Sequence, residues 1–141
     1  WNPYPYFDDE NNLSLVFTLD VHGFRFMFPG EMEGNGWANL LATCPAFRPV
    51  AAGVHVLIAA HHGRRNGIFE EMFDVYGCTP QLVVISDDYK QYDTQETTNY
   101  YGSKAIGITN YRGQSDVRRV LTTRSDGEIR FSFLNGQCHV W

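Results

Sequence analysis

The 141-residue sequence has no apolar run of the roughly 18 residues a membrane span needs. No secretory leader precedes the first turn signals. The opening Trp1-Asn2-Pro3-Tyr4-Pro5-Tyr6 lacks periodicity and reads as a segment that begins inside a longer polypeptide. Cysteine is sparse: Cys44, Cys78 and Cys138 are odd in number and form no C-x-x-C pair. That excludes a zinc knuckle and a disulfide framework, and fits thiols in a reducing, cytoplasmic compartment. A net charge of −5 excludes a general basic face for nucleic acid. There is no glycine-rich phosphate cradle, no G-x-S-x-G elbow and no H-E-x-x-H zinc helix. Internal repeats and low-complexity tracts are absent too.

What is present suffices for one packed domain. Hydrophobic residues are 43% of the chain and aromatics 15%, which argues against disorder. Residues 1–10 read as an irregular lead-in, and 11–141 as the folded part. The apolar stretch Leu13–Leu19 predicts a strand, the turn Asp20–Gly23 follows, and Phe24–Phe28 returns as the second strand of a hairpin. Trp37, Leu40 and Leu41 predict a short helix over Asn35–Thr43. Val54–Ala60 and Gln81–Ile85 are continuous apolar runs, the pattern of strands buried on both faces. Between them, Ile68, Phe69, Met72, Phe73 and Tyr76 predict a helix over Asn66–Tyr76 that Gly77 stops. This strand–helix–strand unit implies a parallel pair with a right-handed crossover. A helix is expected over Thr94–Tyr101. A second hairpin is expected from Val117–Thr123 and Glu128–Phe133 around Asp126-Gly127, with Gly136–Trp141 as a last edge strand. The fold class is α/β.

Chemistry-bearing residues gather at the ends of these strands. His61-His62-Gly63 leaves the Val54–Ala60 strand, and ligands bind at the carboxyl ends of strands in open α/β sheets. Imidazole is a common zinc ligand. Strand alternation predicts that one histidine faces the site while the other acts beside it as an acid, base or support. Pro29-Gly30-Glu31-Met32-Glu33 follows the Phe24–Phe28 strand and offers carboxylates that suit a metal. Asp87 follows the Gln81–Ile85 strand and is placed to orient a histidine. Arg64 and Asp93 are candidates for holding a substrate, with Arg64 suited to a phosphate or phosphodiester. Each group taken singly has a plainer alternative: loop histidines, a charged loop, a helix cap at Asp93 or Thr94, solvated arginines.

Taken in order, these motifs resemble the metallo-β-lactamase-fold hydrolases, above all the hydrolase domain of competence-type DNA-uptake proteins. The likeness runs through Asn11-Asn12-Leu13-Ser14-Leu15-Val16, Phe24–Glu33, Leu57–Gly63, Val83–Ser86 and Thr123–Ile129. It covers about residues 11–134. The resemblance implies the C-terminal half of an αββα sandwich, a mixed sheet with flanking helices. It places Glu31 where the family has a metal-bridging aspartate, and His61 where it has its last histidine ligand, with His62 as the alternative. It implies one or two Zn²⁺ or Mn²⁺ ions, with His62 and Asp87 in supporting catalytic roles and Arg64 and Asp93 toward an anionic substrate. Beyond the glutamate at position 31 in place of an aspartate, the chain departs from the family in three places. Arg64 replaces a serine, Tyr92-Asp93-Thr94-Gln95 replaces a Tyr-Gly-His-Pro, and the His-x-His-x-Asp-His motif of the N-terminal half is not in this sequence. The implied activity is hydrolysis of a phosphodiester or similar ester bond, completed by an N-terminal half or partner chain, with a second copy as another candidate partner. A catalytically degenerate binding or scaffold module is the alternative.

Overall fold

The computed structural model describes Asn2, residues 9–90 and residues 92–141; the expected lead-in therefore lies outside the described residues except at Asn2, Asp9 and Glu10. The core of the fold is a five-stranded sheet in the order β1-β2-β3-β4-β5. Its strands are β1 (Phe17–Val21), β2 (Phe24–Phe28), β3 (Val56–Ile58), β4 (Leu82–Ile85) and β5 (Val120–Thr122). β1 pairs antiparallel with β2, while β2, β3, β4 and β5 run parallel to one another. The carboxyl ends of four strands thus lie along one edge. A separate hairpin joins β6 (Phe131–Leu134) to β7 (Gln137–Val140).

Strand alternation divides the apolar residues between two faces. On one, Met27, Leu57, Val83 and Ile85 pack against residues of the helices α1 (Gly34–Thr43), α2 (Phe47–Ala52), α3 (Glu70–Asp74) and α4 (Thr98–Lys104). On the other, Phe26, Val56, Leu82, Val84 and Leu121 meet Phe131, Phe133 and Val140 of the β6–β7 hairpin. Phe26 stands edge-on to Phe131 with centroids 5.0 Å apart, the geometry aromatic quadrupoles favour. This second face is only partly covered. Leu15, Phe17 and Leu19 are about half exposed, and Phe17 stacks on Phe28 at 4.7 Å beside them.

α1 forms as its spacing predicts, burying Trp37, Leu40 and Leu41. Its first-turn donors are not capped locally. The buried side-chain oxygen of Asn12 accepts from the N–H groups of Glu33 at 3.3 Å and Gly36 at 2.8 Å, satisfying donors a helix start leaves unpaired. The expected helix over 66–76 is shorter, because the chain first makes a 3₁₀ turn, Arg65–Gly67, and only then α3.

The expected hairpin over 117–133 does not form. β5 joins the large sheet beside β4, and Thr123–Asp126 make a helical turn, α5. Side-chain bonds explain the substitution of one turn for another: Thr122 Oγ1 accepts from Ser125 N at 3.2 Å, and the Asp126 carboxylate accepts from Thr122 N at 2.8 Å. Such local bonds favour a helical start over a strand ladder. The true hairpin turn is Asn135-Gly136, where both residues have positive φ, 51° and 75°. That is the requirement of a type I′ turn.

No helix among the described residues is long and apolar enough to cross a membrane. All three cysteines are free; Cys44 is exposed and Cys78 is buried. Burial pushes the Cys78 thiol up to about 12, so at pH 8 roughly one thiol in ten thousand is ionised. In the native chain a thiol reagent at pH 8 is expected to modify Cys44 and to reach Cys78 only after denaturation. Rapid native modification of Cys78, located by peptide mass mapping, would show that this side of the core opens. Leu57 is 2% exposed at the centre of the helix-covered face, so Leu57→Ala is expected to cost about 2–5 kcal/mol in denaturant unfolding.

Candidate active site

The carboxyl ends of β2 and β3 bring the candidate residues together. β2 ends at Phe28, and the chain turns through Pro29 and Gly30 to Glu31, Met32 and Glu33. Met32 is fully buried and anchors the turn, so the carboxylates on either side stay near the sheet edge. The Asn11–Ser14 segment lies along this turn: Glu31 N donates to Ser14 Oγ at 3.0 Å, and Asn11 Nδ2 donates to Glu33 Oε1 at 3.1 Å. Asn66 Nδ2 donates to the same Glu33 oxygen at 2.7 Å.

β3 ends in an uncommon backbone. His61, His62 and Gly63 are all left-handed, with φ of 49°, 53° and 70°. Non-glycine residues in this region cost on the order of 1–3 kcal/mol each and persist where surroundings over-determine them. Here they are held from several sides. His61 N donates to Gly30 O at 3.0 Å and Arg64 N to His61 O at 2.9 Å. The buried Thr97 hydroxyl donates to Gly63 O, tying the turn to the chain just before α4.

This turn corrects the expectation from strand alternation. With positive φ the two side chains no longer point to opposite faces, and both rings reach Glu31. Glu31 Oε2 lies 3.6 Å from His61 Nε2, and Glu31 Oε1 lies 3.3 Å from His62 Nε2. One carboxylate therefore divides its two oxygens between two imidazoles. His61 is buried, while His62 and Glu31 are open to solvent. Glu33, which the sequence reading did not assign to the site, sets Oε1 3.0 Å from His61 Nδ1. That contact is close but off the line of the N–H, and Nδ1 makes no directed hydrogen bond. The only signal for Glu33 is its spacing of two residues from Glu31 in one turn.

Arg64 Nη1 lies 3.3 Å from His61 Nε2, and its guanidinium sits over the Tyr92 ring at 5.3 Å. Arg64, Arg65, Asn66 and Thr94 line one open concavity. The exposed Asp93 opens the helical turn next to Thr94, so the two candidate substrate residues lie on the same side of the histidine turn. Asp87 has a different surrounding. Its carboxylate pairs with Arg124, and its backbone bonds to Thr123, both at the start of α5. The group that touches His62 is its neighbour's carbonyl, Ser86 O, 2.7 Å from Nδ1.

The donor chemistry of Glu31, His61 and His62 suits Zn²⁺ or Mn²⁺. Nitrogen–oxygen separations of 3.3 and 3.6 Å exceed a good hydrogen bond. They are close to the edge of a tetrahedron with bonds of about 2.0–2.1 Å, which is about 3.4 Å. The three groups do not converge on one point, and no set of three or more His, Cys, Asp or Glu side chains among the described residues is arranged to hold a metal ion. Each imidazole–carboxylate pair fits part of a coordination shell. Comparison of the chain with family models, curated proteins and solved structures returned no match.

Gly67 keeps the histidine turn in place by close approach: a Cβ there would lie 2.6 Å from Ala60 O and 3.2 Å from His61 Cβ. Gly67→Ala is expected to destabilise the chain by about 1–3 kcal/mol. Gly34→Ala, where the nearest atom would be at an ordinary 3.5 Å, is expected to leave the melting temperature unchanged or higher. Equal melting temperatures for the two variants would contradict the close approach.

Proposed function

We propose that this chain contributes one side of a metal-dependent hydrolytic site. The observation that carries this reading is the Glu31 carboxylate, whose oxygens face His62 Nε2 at 3.3 Å and His61 Nε2 at 3.6 Å. Glu31 would bridge, and His61 and His62 would each present an imidazole, to one or two Zn²⁺ or Mn²⁺ ions. Such an ion, when bound, polarises a substrate oxygen and makes water nucleophilic near neutral pH. The chain's own residues do the rest. Ser14 and the buried Met32 hold Glu31 in place, and Glu33 Oε1 lies 3.0 Å from the inner nitrogen of His61. Arg64, stacked on Tyr92 beside Arg65, presents charge to an anionic substrate such as a phosphodiester, with Asp93 at the rim.

The shell is incomplete, since a catalytic zinc usually takes about three protein ligands and a water. In this reading the remaining ligands come from an N-terminal half, a partner chain or a second copy, as the resemblance to metallo-β-lactamase-fold hydrolases implies. The half-exposed Leu15, Phe17 and Leu19, with Phe28, support it: they form an apolar sheet face that runs up to Glu31 and His62. A cytoplasmic setting fits the three free thiols. The uncovered face also favours a second reading, a degenerate module that binds a partner and performs no chemistry.

Zinc binding by the chain, measured by competition with a chromophoric chelator, separates the two. Weak but measurable binding is expected, and Glu31→Gln or His62→Ala is expected to weaken it at least about tenfold. Affinity that is unchanged in Glu31→Gln, His61→Ala and His62→Ala would end the metal reading and leave the binding module.

A further inference from the structure

β6 and β7 each turn one side inward. Phe131, Phe133 and Val140 pack against the core. Strand alternation therefore sends Ser132 and His139, which pair across the hairpin, to the outer side. The ladder runs one pair further. Arg130 N donates to Trp141 O at 3.1 Å, and Trp141 N donates to Arg130 O at 2.9 Å. Arg130 and Trp141 thus stand opposite each other on that same outer side. The indole is about half exposed, yet it is held. Its Nε1 donates to Ser132 Oγ at 3.0 Å, and the ring lies nearly parallel to His139, 6.4 Å away between centroids. None of these groups belongs to the candidate metal site.

A second guanidinium reaches the same place from the loop before β5. Arg112 is left-handed, with φ of 50°, in a turn that also holds Asn110 at 62° and Gly113 at 75°. That backbone is uncommon for a residue with a long side chain. The Arg112 guanidinium lies over the buried Tyr111 ring at 5.0 Å, and its Nη2 donates to Glu128 O at 2.8 Å. Among the described residues its charge therefore meets a ring face and a carbonyl, not a carboxylate. Arg112, Glu128, Arg130, Ser132 and Trp141 line one open concavity of about 570 Å³, the size of a small-molecule site. Trp141 also lines a second concavity, with Thr109, Asn110, Gln137 and His139. The acid in the first, Glu128, touches Arg130 through an exposed contact of 3.0 Å. Exposed pairs of this kind are weak, so an incoming anion displaces the carboxylate at little cost.

We propose that the outer side of the β6–β7 hairpin binds a phosphorylated aromatic ring such as a nucleoside monophosphate: the ring stacks on Trp141, and Arg112 and Arg130 hold the phosphate. An indole that is fixed and half exposed is a stacking platform. Two guanidiniums suit a phosphate because each presents a planar fork of donors to its terminal oxygens. The neutral Thr109, Asn110 and Gln137 of the second concavity suit the polar edge of a base. The chain's net charge of −5 favours a ligand with one phosphate over a strand with many, because a strand's flanking phosphates would run over an acidic protein. The site stands independently of the metal reading above.

The test titrates the full chain with adenosine monophosphate at about pH 7.5, where a phosphate monoester is mostly dianionic. ¹H–¹⁵N correlation follows the indole N–H of Trp141, the signal missing from Trp141→Phe, and the backbone amides of Ser132 and His139. A saturable shift of all three at millimolar nucleotide or below is expected. Adenosine alone and inorganic phosphate alone should each bind at least about tenfold more weakly, since each keeps only half of the contacts. Trp141→Ala, read from the two amides, should weaken binding at least about fivefold. Arg112→Asn removes the guanidinium and suits the left-handed backbone; it should weaken binding about tenfold. Should that variant fail to fold, Arg130→Ala takes its place with the same expectation. The absence of a saturable shift overturns the proposal, as does unchanged affinity in either folded variant. Adenosine or phosphate binding as tightly as the nucleotide overturns it too. A ten-residue single-stranded oligonucleotide that binds more than about tenfold tighter than the monophosphate would replace the small ligand with a nucleic-acid strand.

Discussion

The left-handed run His61–Gly63 is the constraint on which the site depends. A strand that continued past Ala60 would send the two histidines to opposite faces of the sheet. The turn brings both rings to one carboxylate instead. Such a backbone is unfavourable in isolation, so its persistence depends on what surrounds it. Gly30 O receives the His61 N–H, Thr97 holds the Gly63 carbonyl, and Gly67 lets the following turn lie against Ala60 O. Each holding group comes from a different segment. The histidine geometry is thus a property of the assembled sheet edge.

The parallel arrangement of β2 to β5 explains why that edge carries the chemistry. All four strands end on the same side, so Glu31, His61, Ser86 and Thr123 are neighbours although they are spread over more than 90 residues of sequence. The helix-covered face supplies the rigidity. Its core runs from Met27 through Leu57, Val83 and Ile85 into Trp37 and Tyr101, and close packing of this kind transmits little slack to the loops above. On the opposite face, among the described residues, the β6–β7 hairpin lies on Phe26, and Tyr111, Ile108 and Ile129 pack there as well. Beyond it, Leu15, Phe17 and Leu19 are about half exposed.

Much of this architecture was legible before any coordinates. The continuous apolar runs Val54–Ala60 and Gln81–Ile85 announced strands buried on both faces, and they form as β3 and β4 within those bounds. The spacing of Trp37, Leu40 and Leu41 announced α1. The segment after β5 was misread because Asp126-Gly127 is a strong hairpin signal, whereas the Thr122 and Asp126 side chains close a helical turn that no dipeptide rule weighs. The Asn135-Gly136 pair carries an equally strong hairpin signal that the sequence reading passed over, and both residues have positive φ.

The sequence by itself determined the α/β class, the two buried parallel strands, the first helix and the chemical identities of Glu31, His61, His62 and Arg64. These follow from composition and from periodicities of two and 3.6, which are local consequences of burial. Tertiary structure alone decided that both imidazoles face Glu31, that Glu33 lies beside His61, that Asp87 pairs with Arg124, and that β5 lies beside β4. Those outcomes depend on which distant backbone groups are free to accept a hydrogen bond once the sheet has closed. A carbonyl such as Ser86 O becomes a histidine's partner only when β3 and β4 are side by side, and no spacing along the chain encodes that encounter.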